Sequence, residues 1–175
     1  MAHFEVRRVR AEEWPALREI RLQALLDTPT AFGSTHAVEV AFDDAVWIER
    51  AGGGASDEDR ATFVVEQEGA LVGLATGLAH DPVEDEGTLV GMFVVPELRG
   101  RGASDGLVRA VAAWARSLDL VRLRAWVTES NAPAIALYRR HGFDYDGALH
   151  PLDHTPTMME QRMVLDLVEY RLDET

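Results

Sequence analysis

Cysteine is absent from this 175-residue chain. That excludes a disulfide framework, a thiolate metal site and a cysteine nucleophile. Lysine is absent too: all 17 basic residues are arginine, so a phosphate-binding P-loop, which needs G-K-[S/T], cannot be built. Asparagine occurs once, at Asn131. Lysine and asparagine share A/T-rich codons, so a GC-rich genome would deplete both, and a salt-adapted source would also give an acidic, lysine-poor chain. In either background Asn131 has survived where its residue type is disfavoured. No apolar run approaches the ~18 residues of a membrane span, and the first ten residues, MAHFEVRRVR, carry no apolar signal core. The expectation is a soluble cytoplasmic protein with no membrane partner. With 30 acidic residues and a net charge of −13, nucleic acid is excluded as a partner and cationic ligands are favoured. The six histidines show no ligand-spaced cluster with carboxylates, so no metal site is expected.

What is present is one domain's worth of alternating structure, long enough to bury roughly two thirds of its unfolded surface. Phe4–Val9 alternates apolar and polar residues and predicts a strand. Ala11–Asp27 has helical apolar spacing, with Pro15 confined to a first turn. A second helix is predicted from about Thr35 to Ala51, stopped by Gly52-Gly53-Gly54, with a flexible loop to Arg60. Strands follow at Thr62–Gln67, Leu71–Ala79 and Thr88–Val95, the last two joined by an acidic connection over Asp81–Gly87. Ser104–Leu118 is a helix, Val121–Val127 a buried strand, and Ala132–His141 a short helix closed by Gly142. Phe143–Leu149 and Met158–Leu167 form a final antiparallel pair. The order predicts one α/β domain, residues 1–175, with a mixed sheet.

The most informative segment is V-V-P-E-L-R-G-R-G-A-S, Val94–Ser104. A strand runs into a glycine-rich turn that opens a helix. Such a turn converges backbone N–H groups on one point, and the helix N-terminus adds partial positive charge, which suits a phosphate. A dinucleotide fingerprint from Gly100 would need glycine where Asp105 stands. The pattern [R/Q]-x-x-G-x-[G/A] fits as Arg99-x-x-Gly102-x-Ser104, with serine last. Similar turns also occur in α/β folds that bind nothing.

This segment, followed at the right distance by V-T-E-S-N-A-P-A-I-A-L-Y-R-R-H-G-F (Val127–Phe143), resembles the acyl-CoA-binding half of the GNAT N-acetyltransferase superfamily. The resemblance is specific over about a third of the chain and coarse over the rest. It implies a GNAT-like mixed, mostly antiparallel sheet of about seven strands flanked by about four helices, with acetyl-CoA as acyl donor. The fourth and fifth strands would splay, and backbone groups of Met92, Phe93 and Val94 would bond the pantetheine and polarise the acyl carbonyl. Arg99 and the backbone of Gly100, Arg101, Gly102, Ala103 and Ser104 would wrap the pyrophosphate. Asp105 would point outward, complementing the helix dipole. Asn131 is either an N-cap or a cofactor contact. Tyr138 is either a packing tyrosine or, as in the family, the acid that protonates the departing thiolate, with Arg139 and Arg140 facing solvent.

The reaction implied is direct attack of a primary amine, from a small molecule or a protein, on the thioester in a ternary complex. An alkylamine of pKa near 10.4 is only about 0.04% neutral at pH 7, a penalty of roughly 4.6 kcal/mol, so a base is required. Where relatives place a glutamate on the fourth or fifth strand, this chain has Thr88 and Trp126. Glu86, acting through a water, is the nearest acid; Glu129, His36, His150 and His154 are further candidates. Pro29–Gly33 and Pro151–Pro156 are expected to wall the acceptor pocket, with Phe32, Trp47, Trp126 and Tyr145 as lining or core. Two further readings stay open: an acyl-CoA-binding module without turnover, and a protein using the Gly100–Ser104 turn for another phosphate ligand. Met158, Met159, Met163, Val164, Leu165 and Leu167 could serve a core or a homodimer.

Overall fold

A computed structural model describes residues 3–79 and 85–171. The acidic connection over Asp81–Gly87 therefore falls mostly outside the described residues. Seven strands form one sheet in the order β1-β2-β3-β4-β5-β7-β6: β1 (Glu5–Arg8), β2 (Arg60–Gln67), β3 (Ala70–Ala79), β4 (Glu86–Val94), β5 (Arg122–Thr128), β6 (Asp144–Leu152) and β7 (Thr155–Asp166). Every pairing is antiparallel except β4 with β5. A parallel pair needs a crossover, supplied here by α4 (Ala103–Ser117).

The sheet is covered on both faces. Leu107, Val108, Val111, Ala112 and Ala115 of α4 are fully buried in one core with Ala75, Leu123, Met163 and Leu165. On the other face α1 (Trp14–Asp27) buries Leu17, Ile20, Ala24 and Leu25 against Val64, Leu74 and Phe93. Of the apolar C-terminal residues, Met163, Leu165 and Leu167 thus belong to the core of the chain itself.

The predicted second helix is broken in two, and the glycines do not stop it. It forms as α2 (His36–Glu39) and α3 (Asp44–Ser56). The break lets Glu39, 1% exposed, meet both Arg21 of α1 at 2.7 Å and Arg50 of α3 at 2.9 Å. In a continuous helix residues 39 and 50 would stand about 16 Å apart along the axis. Gly53 and Gly54 sit inside α3 because they allow close approach to β2. A Cβ on Gly54 would lie 2.6 Å from Thr62 Oγ1, and one on Gly53 would collide with the Arg60 guanidinium. The last hairpin is also tighter than expected, since Leu152 pairs with Thr155 and both Pro151 and Pro156 lie within strands.

The feature that positions the site is the parting of β4 from β5. The two pair only at Glu86–Thr88 with Arg122–Arg124. Beyond that, the β3–β4 register slips by one residue between Val90 and Phe93, where Gly91 adopts φ +67°. A bulge with a left-handed glycine bends its strand and ends pairing on one side. β4 stays with β3 as far as Val94, and β5 stays with β7 as far as Thr128. Main-chain edges of both strands are left facing a gap in the middle of the sheet.

Candidate active site

A cleft of about 480 Å³ opens at this gap, lined by Met92, Phe93 and Val94 of β4, by Arg99, Gly100, Gly102, Ser104 and Asp105, and by Asn131, Ala134, Leu137 and Arg140. Gly100 and Gly102 hold φ +73° and +90°, a backbone region in which any Cβ is strained. Gly102 stands at the N-cap of α4 with no side-chain cap, so the first N–H groups of that helix have no intrahelical acceptor, and Gly102, Ser104 and Asp105 at this terminus line the cleft. The arrangement fits a chain of amides ending in a pyrophosphate.

Two members of the expected wrap are placed otherwise. The Arg101 N–H donates to Leu98 O at 3.3 Å, and Ala103 is fully buried in the α4 core; neither lines the cleft. Arg99 reaches backward, its Nε donating to the Val94 carbonyl at 2.9 Å and its guanidinium pairing with Asp27. It thereby fixes the end of β4 as well as lining the cleft.

Asn131 takes the capping role and stands at the cleft wall. Its Oδ1 accepts the Ala134 N–H at 3.2 Å, capping α5 (Ala132–Arg140), and the residue also lines the cleft. Tyr138 is 5% exposed and packs on Phe143 with ring centroids 5.1 Å apart. Its neighbour Leu137 lines the cleft in its place. Burial pushes the Tyr138 phenol well above its ordinary pKa, so it is fully protonated at neutral pH.

Asp105 does not simply complement the helix dipole, and Arg140 is not simply solvent-facing. Arg140 donates to Asp105 at 2.8 and 3.0 Å, and His141 Nε2 lies 2.9 Å from the same oxygen. Burial alone would raise the Asp105 pKa, but Arg140 and His141 hold it below the ordinary carboxylate value. The trio ties the start of α4 to the end of α5 across the cleft.

A second cleft, of about 440 Å³, lies beside the first and shares Ala31 and Phe32 with it. Its other walls include Arg21, Arg50, Val90, Gly91, Trp126, His150 and Glu160. Of the two expected wall segments, Pro29–Gly33 contributes Ala31, Phe32 and Gly33 to this cleft, and Pro151–Pro156 contributes none of its lining. The first segment is held by Thr128 Oγ1, which donates to Thr30 O at 2.6 Å, and by His154 Nε2, 2.7 Å from Phe32 O. Trp126 lines this cleft, whereas Trp47 is fully buried and Tyr145 is 43% exposed on β6.

The candidate bases fall in different places. Glu86 sits at the paired end of β4, bound by Arg122 at 3.0 Å and Arg124 at 3.4 Å, and lines neither cleft. Two guanidiniums occupy the carboxylate that was expected to take a proton. Glu129 is exposed, and His36 lies on α2 outside both clefts. Among the described residues, only His150 and Glu160 bring titratable, arginine-free groups to the second cleft. Sequence reasoning missed Glu160. The signal was a lone acid flanked by Met158, Met159 and Met163 in a strand read as apolar.

Residues 14–143 match the Acetyltransferase (GNAT) family, and the chain belongs to that family. It is similar to streptothricin acetyltransferase of Streptomyces lavendulae, 36% identical over 111 residues that make up 63% of this chain and 58% of that protein. The aligned stretch thus spans little more than half of that relative. Among solved structures it is similar to yncA from Salmonella typhimurium with its cofactor acetyl-CoA (TM-score 0.78, 20% identity, 99% of both chains). It is also similar to spermidine N-acetyltransferase from Vibrio cholerae in complex with CoA and spermine (TM-score 0.76, 16% identity, 97% of this chain and 99% of that one). At such identities the structural likeness shows the shared fold.

Proposed function

We propose that the protein is an N-acetyltransferase that transfers the acetyl group of acetyl-CoA to a primary amine, on a small molecule or a protein, by direct attack in a ternary complex. The observation that carries this reading is the junction of two clefts at Ala31 and Phe32. One is edged by the unpaired main chain of β4 and by the glycine turn; the other is shaped for a second reactant. Bound there, acetyl-CoA supplies an activated acyl carbon and a thiolate leaving group.

The residues of the chain divide the remaining work. Backbone N–H and C=O groups of Met92, Phe93 and Val94 on the open edge bond the amide chain, and an N–H near Phe93 or Val94 polarises the acyl carbonyl. Gly100, Gly102, Ser104 and the start of α4 receive the pyrophosphate. Tyr138 is the general acid toward the thiolate: a phenol carries its proton at neutral pH, and Tyr138 neighbours the cleft-lining Leu137 on α5.

The burial of Tyr138 favours a second reading, acyl-CoA binding without turnover, because a phenol enclosed against Phe143 must shift to reach the sulfur. Release of CoA thiol on adding amine separates the two. The absence of cysteine makes any thiol signal CoA alone. Steady release with streptothricin, spermidine or L-lysine supports the enzyme, and binding without release supports the module. A homodimer through β6, a free sheet edge with Leu149 46% exposed, is tested by light scattering.

A further inference from the structure

The reaction just proposed needs a base. Strand register brings three residues together on one sheet face, where Thr128 of β5 and His150 of β6 flank Glu160 of β7 from opposite sides. Glu160 is 7% exposed, and what surface remains to it faces the acceptor cleft. His150 Nε2 lies 3.5 Å from its carboxylate, and the imidazole packs on Trp126 with centroids 4.0 Å apart while staying 39% exposed to solvent.

The other charges around the cleft are already engaged. Arg21 and Arg50 are both bound to Glu39, and Arg60 to Glu49 and Asp57. Among the described residues, Glu160 is the one carboxylate lining this cleft, and no arginine pairs with it. Asp153 and His154, in the β6–β7 turn, are the remaining titratable groups that bear on it, and His154 is held at the Phe32 carbonyl.

Resting on the N-acetyltransferase reading, we propose that Glu160 is the catalytic base that deprotonates the incoming ammonium and that His150 is the positioning residue that relays the proton to solvent. Burial and the nearby Asp153 raise the proton affinity of Glu160 above that of an ordinary carboxylate, against the opposing pull of His150 and His154. That shift moves a carboxylate toward the range useful for a general base. The ammonium first loses one N–H proton to a Glu160 oxygen. The freed lone pair forms the C–N bond as the C–S bond breaks. The second nitrogen proton balances the one delivered to the departing sulfur, so the sum is ammonium plus thioester giving amide, CoA thiol and one proton. Glu160 hands that proton to His150, whose exposed edge releases it.

The test follows CoA thiol release with streptothricin, spermidine and L-lysine, using the fastest of the three, from pH 6.5 to 9.5. For Glu160→Gln the expected result is a fall in kcat of about 10²–10³-fold at pH 7, within the usual range for a general base. The deficit should shrink at least tenfold by pH 9.5, where more of the amine is free base. Acetyl-CoA affinity by calorimetry should stay within twofold, and Glu160→Asp should recover part of the rate. His150→Asn should lose less than Glu160→Gln and should flatten the same acidic limb. A folded Glu160→Gln protein with unchanged kcat, or one whose deficit is confined to acceptor KM at every pH, would overturn the assignment. A wild-type protein inert toward all three amines would instead overturn the acetyltransferase reading and this inference with it.

Discussion

The Nε2 of His154 lies 2.7 Å from the carbonyl oxygen of Phe32, while its Nδ1 meets Thr155 Oγ1 at 3.0 Å. The ring at the tip of the β6–β7 hairpin thus holds the short segment that walls both clefts. Nε2 must be the donor, since a carbonyl can only accept. Replacing His154 by alanine removes this tie and leaves the Thr128 bond to Thr30 and the burial of the Phe32 ring to hold the segment. The expected outcome is a severalfold rise in KM for both acetyl-CoA and amine with a smaller change in kcat. Stability should fall by about 1 kcal/mol, the usual net value of a hydrogen bond, as read by thermal unfolding and steady-state kinetics.

Glu39 anchors α2 between two arginines, and the sign of its pH effect is fixed by its direction of shift. Burial opposes its charge, but Arg21 and Arg50 outweigh that and hold its pKa below the ordinary carboxylate value. Its contribution is therefore complete above about pH 4.3, the unfolded value, and is lost as pH falls through the folded one. Glu39→Gln should cost about 3 kcal/mol at pH 7 by leaving half-buried guanidiniums unpaired. That gap should begin to narrow below the unfolded value and close only as the pH falls through the depressed folded one, as read in urea titrations.

Glu160 should behave in the opposite sense. Its folded pKa is raised, so the folded state gains relative stability below the unfolded carboxylate pKa and loses it as pH rises through the folded value. Glu160→Gln should then melt higher than wild type at pH 7–8 and no higher at pH 4. A variant less stable than wild type at pH 8 would mean that the carboxylate is a structural ion-pair member.

Tyr138→Phe keeps the ring that packs on Phe143 and removes only the hydroxyl. CoA release should fall by about 10² at neutral pH, the common range for a general acid, with a melting temperature close to wild type. An unchanged rate would assign the sulfur's proton to solvent.

The strands and the glycine turn were legible because their signals are local. Alternation in Phe4–Val9 and the strand–glycine–helix run Val94–Ser104 place β1, β4 and α4 within a few residues of where they form. What could not be read depends on residues far apart in sequence. Gly53 and Gly54 carry the usual mark of a helix stop, yet Arg60 and Thr62 on a neighbouring strand need the space that a side chain would fill. Glu39 looks like any surface acid until α1 and α3 bring Arg21 and Arg50 to it. Several walls of the first cleft, Asn131 and the glycines among them, were visible in the sequence. Of the second cleft, Phe32, Trp126 and His150 were visible but Glu160 was not, because it gains its neighbours only through the pairing of β7 with both β5 and β6.

Whether the gap between β4 and β5, with its glycine turn, is a cofactor site is decided by calorimetric titration with acetyl-CoA. Gly102 adopts φ +90°, and nothing lies within 4 Å of where its Cβ would stand. Gly102→Glu therefore adds backbone strain of about 1–2 kcal/mol and a negative charge where phosphates are expected. The expected result is micromolar binding, one molecule per chain, weakened at least tenfold by Gly102→Glu. Folded wild-type protein that takes up no acetyl-CoA, or a Gly102→Glu variant that binds it as well as wild type, would contradict it.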